Sequence, residues 1–385
     1  MAREFRVSLR TVQRWLARAG DEPLDTVDWS SRSSRPHRVE RTRVELEDLI
    51  LELRRELRET SILGEYGAVA IQRALVYHEL PRPVPSVRTI GRILERRGAL
   101  DARRRVRRPA PPAGWYLPDL AARTVELDSF DVIEGLRLRG GLHLDVLTAI
   151  SLHGALSAAW VQSGVSAAST SRALSDHWRS VGLPGYVQFD NDARFYGSHA
   201  KPDVFGPVVR LCLALGVVPV FVPPRETGFQ ASIESFNGRW QAKVWARFWS
   251  EDLAELVTRS DRYLDALTRR HAVRIESAPF RRPIPVGWQP DLRATPRGRL
   301  VFLRRTSSVG TASVFGRTYE VDSNWSYRLV RAELDLEERA LRFFALRRRE
   351  PADQPLLREV AYLPTPHPTG RLPGPGNPAF GDPQR

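Results

Sequence analysis

One short stretch constrains this chain more than any other, because it delivers an acid at a strand end. Leu-Pro-Gly at 183–185 breaks the chain, and residues 186–189 form a β-prone run that ends at Asp190. Asn191 and Asp192 follow at once and favour a tight turn. An acid at the tip of a strand is held rigidly and still reaches solvent. The stretch therefore predicts a carboxylate placed to bind a metal ion.

Two distant acids are candidates to join Asp190. Asp128 follows residues 124–127, which predict a strand that ends there, and Glu234 lies at the start of a long helical pattern. Carboxylates are the ligands that Mg²⁺ prefers, and two such ions stabilise the entering and leaving oxygens at phosphorus. We therefore expect Asp128, Asp190 and Glu234 to hold two Mg²⁺ or Mn²⁺ ions. The alternates ranked next are Asp131, Asp192 and Glu226.

Three phrases carry a family resemblance. They are Val-Glu-Leu-Asp-Ser at 125–129, Leu-Pro-Gly-Tyr-Val-Gln-Phe-Asp-Asn at 183–191 and Ile-Glu-Ser-Phe-Asn-Gly at 233–238. They resemble the Asp-Asp-Glu motifs of the retroviral-integrase-type (rve) superfamily, in particular those of bacterial insertion-sequence transposases. The resemblance extends over residues 1–348. One departure is Asp192, which stands where those relatives usually have glycine.

The resemblance implies a DNA transposase or integrase. Its expected core is an RNase H-like α/β domain, a mixed five-stranded sheet with helices, in which Asp128, Asp190 and Glu234 are both catalytic and metal-binding. Phosphodiester hydrolysis and strand transfer would share this site. Double-stranded DNA, as element ends and as target, is the implied partner, with a homo-oligomer formed on it. The implied location is the bacterial cytoplasm, with the nucleoid.

Composition narrows the class independently. The 385 residues are enough for two to four domains, and the single cysteine, Cys212, excludes an internal disulfide and a two-Cys, two-His zinc module. No apolar run is long enough to predict a membrane helix, and no secretory signal is visible. The 59 Lys and Arg residues outnumber the 45 Asp and Glu residues, giving a formal charge of +14. This excess favours a polyanionic partner.

The N-terminal region predicts a partial helix-turn-helix over residues 1–20, followed by a linker over 21–38. Ser8 is the expected N-cap of a helix over residues 9–19. Its polar face offers donors to a major groove. Those donors are Arg10, Gln13 and Arg14. A short amphipathic helix with a solvated basic face is the alternative, and the missing preceding helix suggests a gene start further upstream.

Residues 39–100 predict a second helix-turn-helix or winged-helix-like unit of three helices. Ser86 is the expected N-cap of the third helix, and Gly98 ends it. Arginines at i, i+4 and i+8 form one outward stripe on this helix. They are Arg88, Arg92 and Arg96. A solvated charged face is the alternative, but the basic third helix favours DNA binding.

Residues 101–122 predict a basic, proline-rich linker that also binds phosphates, with a disordered spacer as the alternative. Its arginines are Arg103, Arg104, Arg105, Arg107 and Arg108. The α/β core is expected over 123–290, with the order β-β-β-α-β-α-β-α. Short strands over 297–348 predict a small β-barrel. Residues 349–385 are rich in proline and glycine and predict a disordered tail.

Two rival functions remain compatible with these patterns. The first is a decayed or domesticated transposase that only binds specific DNA sequences. The second is an RNase H-like nuclease without strand transfer. An assay for strand transfer in Mg²⁺ or Mn²⁺ separates the three, because they would join, only hydrolyse or only bind DNA.

Overall fold

A computed structural model describes most of the chain. The described residues are 7–30, 42–77, 84–100, 112–197, 203–226, 228–247, 250, 252–348 and 350–363. The arginines predicted to bind phosphate between 103 and 108 lie outside them. No helix in the described part of the chain is both long and apolar enough to cross a membrane.

The helices come mainly before and between the strands of the core. They are α1 (Leu9–Ala19), α2 (Val44–Thr60), α3 (Ala68–Tyr77), α4 (Val87–Arg96), α5 (Pro118–Ala121), α6 (Ala167–Val181), α7 (Ala193–Tyr196), α8 (Pro207–Ala214), α9 (Ala231–Trp240), α10 (Leu253–Arg270) and α11 (Ala272–Glu276). A π-helical turn, Gln241–Trp245, continues α9, and a 3-10 turn spans Ser323–Trp325.

The strands fall into a core group and a C-terminal group. They are β1 (Leu127–Arg137), β2 (His143–Ser151), β3 (Ser157–Gln162), β4 (Tyr186–Phe189), β5 (Val218–Phe221), β6 (Arg299–Arg305), β7 (Thr311–Val314), β8 (Arg317–Glu320), β9 (Leu329–Asp335), β10 (Ala340–Ala345) and β11 (Leu356–Ala361).

The predicted helix starts are confirmed at the N-terminal units. Ser8 caps α1 and Ser86 caps α4, each side chain accepting the backbone N–H three residues on. Helices α2, α3 and α4 share a small apolar core, of which Ile50, Ile71 and Ile90 are fully buried members. The apolar side of α1, by contrast, is largely exposed to solvent. Its exposed members are Leu9, Trp15 and Leu16.

The central sheet has the predicted order of core elements but is larger than predicted. β1, β2 and β3 form an antiparallel meander, while β4 and β5 run parallel to β1. Within the described residues the order is β11-β10-β9-β6-β5-β4-β1-β2-β3, so this sheet has nine strands there and the prediction of five is wrong. The reason is that β6 pairs with the free side of β5, with Val220 opposite Val301 and Phe221 opposite Phe302.

The C-terminal strands consequently extend the core sheet, and the separate barrel over 297–348 is not confirmed. The Phe221 and Phe302 rings stack with centroids 5.3 Å apart, and both belong to the same apolar cluster as Phe130 and Phe189. Only β7 and β8 form a second, two-stranded sheet in the described structure. Strand β11 lies in the segment predicted to be disordered, where it pairs with β10.

Arg247 is one of the residues that join the helical unit to the core, together with Lys243, which donates to the Gly64 carbonyl at 3.1 Å. The guanidinium of Arg247, just beyond the π-helical turn, donates hydrogen bonds of 2.6 to 2.9 Å to three carbonyls at the end of α2. These are the carbonyls of Arg58, Glu59 and Ser61. The last carbonyls of a helix lack intrahelical partners and carry partial negative charge, so a cation there is favourable. The contact therefore fixes α2 against the segment that follows α9.

Candidate active site

Strand β1 sends its two aspartates to opposite faces of the sheet. The sequence predicted a strand that ends before Asp128, but the observed strand begins at Leu127 and continues to Arg137. Successive side chains of a strand alternate between faces, so residues three apart point in opposite directions. Phe130, on the face of Asp128, packs in the cluster with Trp178 of α6. The face of Asp131 is the one that α9 covers.

Asp128 is an ion-paired core residue. Its side chain is 1 % exposed, and Arg281 donates to it with Nη1 at 2.9 Å and Nη2 at 2.5 Å. The indole Nε1 of Trp178 donates a further bond of 2.9 Å. Burial acts to raise the pKa of Asp128, but the charge and hydrogen bonds of Arg281 outweigh it, so the pKa lies below its usual value. The structure therefore places the first predicted ligand away from the other two.

Asp131 occupies the position that was expected of Asp128. Its Oδ2 accepts a 2.8 Å bond from the side-chain amide of Asn237, and its Oδ1 accepts the N–H of Val132 at 2.8 Å. Thr148, which faces Asp131 in the register of β1 and β2, donates to the amide oxygen of Asn237 at 2.7 Å. This fixes which end of the Asn237 amide points at Asp131. Asp131 is thus oriented from both the sheet and α9.

Asp190 lies at the carboxyl end of β4, as predicted. Its Oδ1 accepts the backbone N–H of Asp192 at 3.0 Å, which closes the turn. Asp192, the residue that replaces glycine, caps α7 and receives two bonds of 2.7 Å from the Arg194 side chain. Arg194 also pairs with Glu134 of β1 at 2.7 Å. Asp192 therefore stabilises the loop, and an arginine offsets its added negative charge.

Glu234 is in the first turn of α9, one turn before Asn237. Ile233 and Phe236 on the same helix are fully buried against β1 and β2, while Glu234 is exposed. The alternate Glu226 is elsewhere, in an ion pair with Arg305 of β6. Of the ranked alternates, only Asp131 joins Asp190 and Glu234.

The charges of Asp190 and Glu234 act on Asp131. The pKa of Asp131 is raised to about 6 in total: burial raises it most, the hydrogen bond from Val132 lowers it, and the negative charges of Asp190 and Glu234 raise it. Burial also raises the pKa of Asp190. Repulsion between converging carboxylates is the usual electrostatic state of a site that a cation would neutralise.

The carboxylates of the site are the type of ligand that a divalent cation prefers, although the three acids do not surround a single metal position. No group of three or more His, Cys, Asp and Glu side chains within the described ranges is arranged to hold a metal ion. Mg²⁺ is, however, commonly held by one or two carboxylates together with substrate phosphates. Asp131 and Asp190, on adjacent parallel strands, offer such a pair of hard oxygen donors. The residues therefore fit a cation that the substrate helps to bind.

The predicted DNA-contacting residues of the two helical units are largely exposed. Arg10, Gln13 and Arg14 of α1 and Arg88 and Arg92 of α4 are exposed. Arg96 is half exposed but forms an ion pair with the buried Glu47 of α2. It therefore stabilises the helical unit, whatever else it contacts.

Comparison with known proteins gives a weak structural likeness. No protein-family profile and no curated protein matches the sequence. Among solved structures, the catalytic core domain of BIV integrase is 13 % identical, with a TM-score of 0.30, over 39 % of this chain and 94 % of that one. The magnesium complex of the HTLV-2 integrase catalytic core domain is 11 % identical, with a TM-score of 0.27, over 37 % and 86 %.

A simian T-cell lymphotropic virus intasome is 14 % identical, with a TM-score of 0.32, over 70 % of this chain and 87 % of that one. These structural neighbours are thus retroviral integrases. At such low scores the likeness carries no argument about this chain.

Proposed function

We propose that this protein is a DNA transposase or integrase that hydrolyses and transfers phosphodiesters at Asp131, Asp190 and Glu234. The observation that carries the proposal is the electrostatic convergence of these acids. They come from two adjacent parallel strands and the helix that covers them, and burial together with the charges of Asp190 and Glu234 raises the pKa of Asp131. Asp131 takes the role that the sequence predicted for Asp128, because Asp128 forms an ion pair with Arg281.

Divalent cations are the cofactor that the donors favour, with Mg²⁺ or Mn²⁺ as the candidates. Asp131 and Asp190 would hold them together with substrate phosphates, and Glu234 adds negative charge to the site. When bound, two such ions would stabilise the charge that develops at the scissile phosphate. Neighbouring groups of the protein orient the acids. Asn237 holds Asp131 in one rotamer, and the backbone N–H of Asp192 holds Asp190. Both acids are thus oriented before substrate binds.

Double-stranded DNA is the proposed partner, and the exposed arginines of α4 support it. Arg88 and Arg92 are one helical turn apart on the face opposite the small apolar core. The net charge of +14 also favours a polyanion. A homo-oligomer on DNA stays part of the proposal, because joining two element ends requires two active sites.

The proposal is tested with supercoiled plasmid and a short duplex carrying a free 3′-OH, in Mg²⁺ and in Mn²⁺. Wild-type protein should nick the plasmid and join the duplex to it. Asp131→Asn and Asp190→Asn should abolish both reactions while plasmid binding persists. Ser235→Ala is the control, since Ser235 is exposed on the same helix as Glu234. Full activity of Asp131→Asn would refute the site assignment.

A second function is favoured by one observation, the lack of a closed three-ligand group in the described structure. A protein that binds specific DNA without cutting it would need the helical units but no cation. It would retain plasmid binding in the same assay and give neither nicks nor joined product. Nicking without joining would identify an RNase H-like nuclease.

A further inference from the structure

The C-terminal strand β6 reaches into the loop that carries Asp190 through one buried arginine. Arg304 is 7 % exposed although it is charged, and its donors are directed at the carboxyl ends of β4 and β5. Nη2 donates to the Asn191 side-chain oxygen at 2.9 Å, and Nη1 donates to the Val222 carbonyl at 3.1 Å. Asn191 donates in turn to the same Val222 carbonyl at 2.7 Å. The three residues form a closed ring of hydrogen bonds.

The remaining donors of Arg304 also reach neutral acceptors. Nε donates to the Ser313 carbonyl at 3.0 Å, and Nη1 reaches the Leu303 carbonyl at 2.8 Å. No acid in the described structure forms an ion pair with it, but its guanidinium hydrogen-bonds the side chain of Tyr196. Burial lowers the pKa of Arg304 and Tyr196 opposes this, so the pKa lies at about 10 and Arg304 stays protonated near neutral pH. A buried charge without an acidic partner is costly, but here hydrogen bonds to several oxygens satisfy the guanidinium.

We propose that Arg304 is a positioning residue, which fixes the Asp190 loop through Asn191 so that Asp190 is held for phosphodiester chemistry. The ring ties the residue next to Asp190 to two strands at once. A fork of fixed geometry is suited to this, because it bonds two acceptors in one plane. Only the expected effect of Arg304 on the rate of DNA joining rests on the proposed function; its expected effect on loop order does not.

The first test measures loop order and needs no substrate. In Arg304→Met, amide hydrogen exchange over residues 186–197 should be about tenfold faster, because the bonds that hold the loop are lost. The melting temperature should also fall, because the buried carbonyls that accept from Arg304 lose their donor, so the local change in exchange is the deciding measurement. Arg331→Met is the matched control. Arg331 is equally buried, on β9, but contacts Tyr116 and Glu333, and Tyr116 reaches β4 only at Gln188, so exchange over the loop residues 190–197 should not change.

The second test is a double-mutant cycle between Arg304→Met and Asn191→Ala. The effects of residues that act through each other are non-additive, so amide exchange in the double variant should be no faster than in either single variant.

A third test measures DNA joining. Arg304→Met should lower kcat by about a hundredfold with KM for DNA unchanged, since small misplacements at a reacting centre have effects of that size. Arg304→Lys should rescue little, because an ammonium cannot bond both acceptors.

The possible outcomes separate the two proposals. Unchanged exchange over 186–197 in Arg304→Met, or fully additive effects in the cycle, would overturn the positioning role. A wild-type protein that neither nicks nor joins DNA would overturn the proposed function. The exchange result would still decide whether Arg304 orders the loop.

Discussion

Asn237 and Asp131 are joined by a 2.8 Å hydrogen bond that runs from α9 to the middle of β1. Through it, the helix that carries Glu234 also orients an acid on the sheet. Asn237 is 8 % exposed, and its other side-chain end is held by Thr148, which is fully buried. The placement of Asp131 relative to the helix that carries Glu234 therefore depends on one amide group.

Removing that amide should impair the reaction while leaving the fold intact. In Asn237→Ala, Asp131 loses its donor from α9, and we expect kcat for joining to fall about a hundredfold, as for other small misplacements. Thr148→Val should have a weaker effect in the same direction. Steady-state kinetics on the nicking and joining substrates would check this. Equal kcat values for wild type and Asn237→Ala would show that Asp131 needs no orientation.

Asp128→Asn should destabilise the protein, in contrast to Asp131→Asn. The substitution leaves Arg281 buried without its carboxylate, and breaking a buried pair costs about 3–5 kcal/mol. Urea unfolding would measure the change in free energy. The double variant Asp128→Asn with Arg281→Met should recover part of the loss, because no charge is then left unpaired. A variant Asp128→Asn that is as stable as wild type but inactive would return the metal-binding role to Asp128.

The stability of the metal-free protein should depend on pH through Asp131. Its pKa is raised to about 6 in the folded state and is about 3.9 when unfolded, so the folded state holds its proton more tightly. The contribution of Asp131 to the free energy of unfolding is fully present below about pH 4 and is lost as pH rises through about 6. Urea unfolding in a chelator should show that Asp131→Asn loses less stability than wild type across this window, by about 2–3 kcal/mol.

Divalent cations should reverse this loss. A ligand that binds only the folded protein raises the free energy of unfolding in proportion to the logarithm of its concentration. Mg²⁺ or Mn²⁺ should therefore raise the melting temperature of wild type at neutral pH, and raise that of Asp190→Asn less. Differential scanning fluorimetry would measure both, with the chelator as reference. An equal rise in the two proteins would place cation binding elsewhere.

The α4 arginines should contribute to DNA affinity individually. Arg88→Ala and Arg92→Ala should each reduce the slope of log affinity against log salt by about 0.9, the value for one phosphate contact. Arg96→Ala should mainly lower stability, because Arg96 is tied to Glu47. Arg179→Ala is the control, from an exposed position on α6. Binding titrations over a range of salt would check this, and unchanged slopes would remove α4 from the interface.

Local chemistry predicted a large part of the fold. Ser8 and Ser86 were predicted as N-caps, and each accepts the N–H three residues on. Strand β4 has the predicted bounds, residues 186–189. These elements were predictable because capping residues and short β-prone runs act over a few positions.

The choice between Asp128 and Asp131 could not be made locally. Strand β1 is buried on both faces, so its alternation shows that the two acids diverge but not which one faces α9. The deciding partner, Arg281, is 153 positions away from Asp128. Contacts that distant leave no mark on local sequence patterns. Arg304 was missed for the same reason, since it lies 113 positions from Asn191.

The pairing of β5 with β6 has a practical consequence for anyone dividing this protein into fragments. The proline-rich segment between α11 and β6 looks like a natural place to cut. A fragment that ends there would expose the backbone edge of β5 together with the face of Phe221 that Phe302 covers. Unprotected apolar edges of this kind recruit other chains. Such a fragment should aggregate, and a soluble piece has to retain everything through β11.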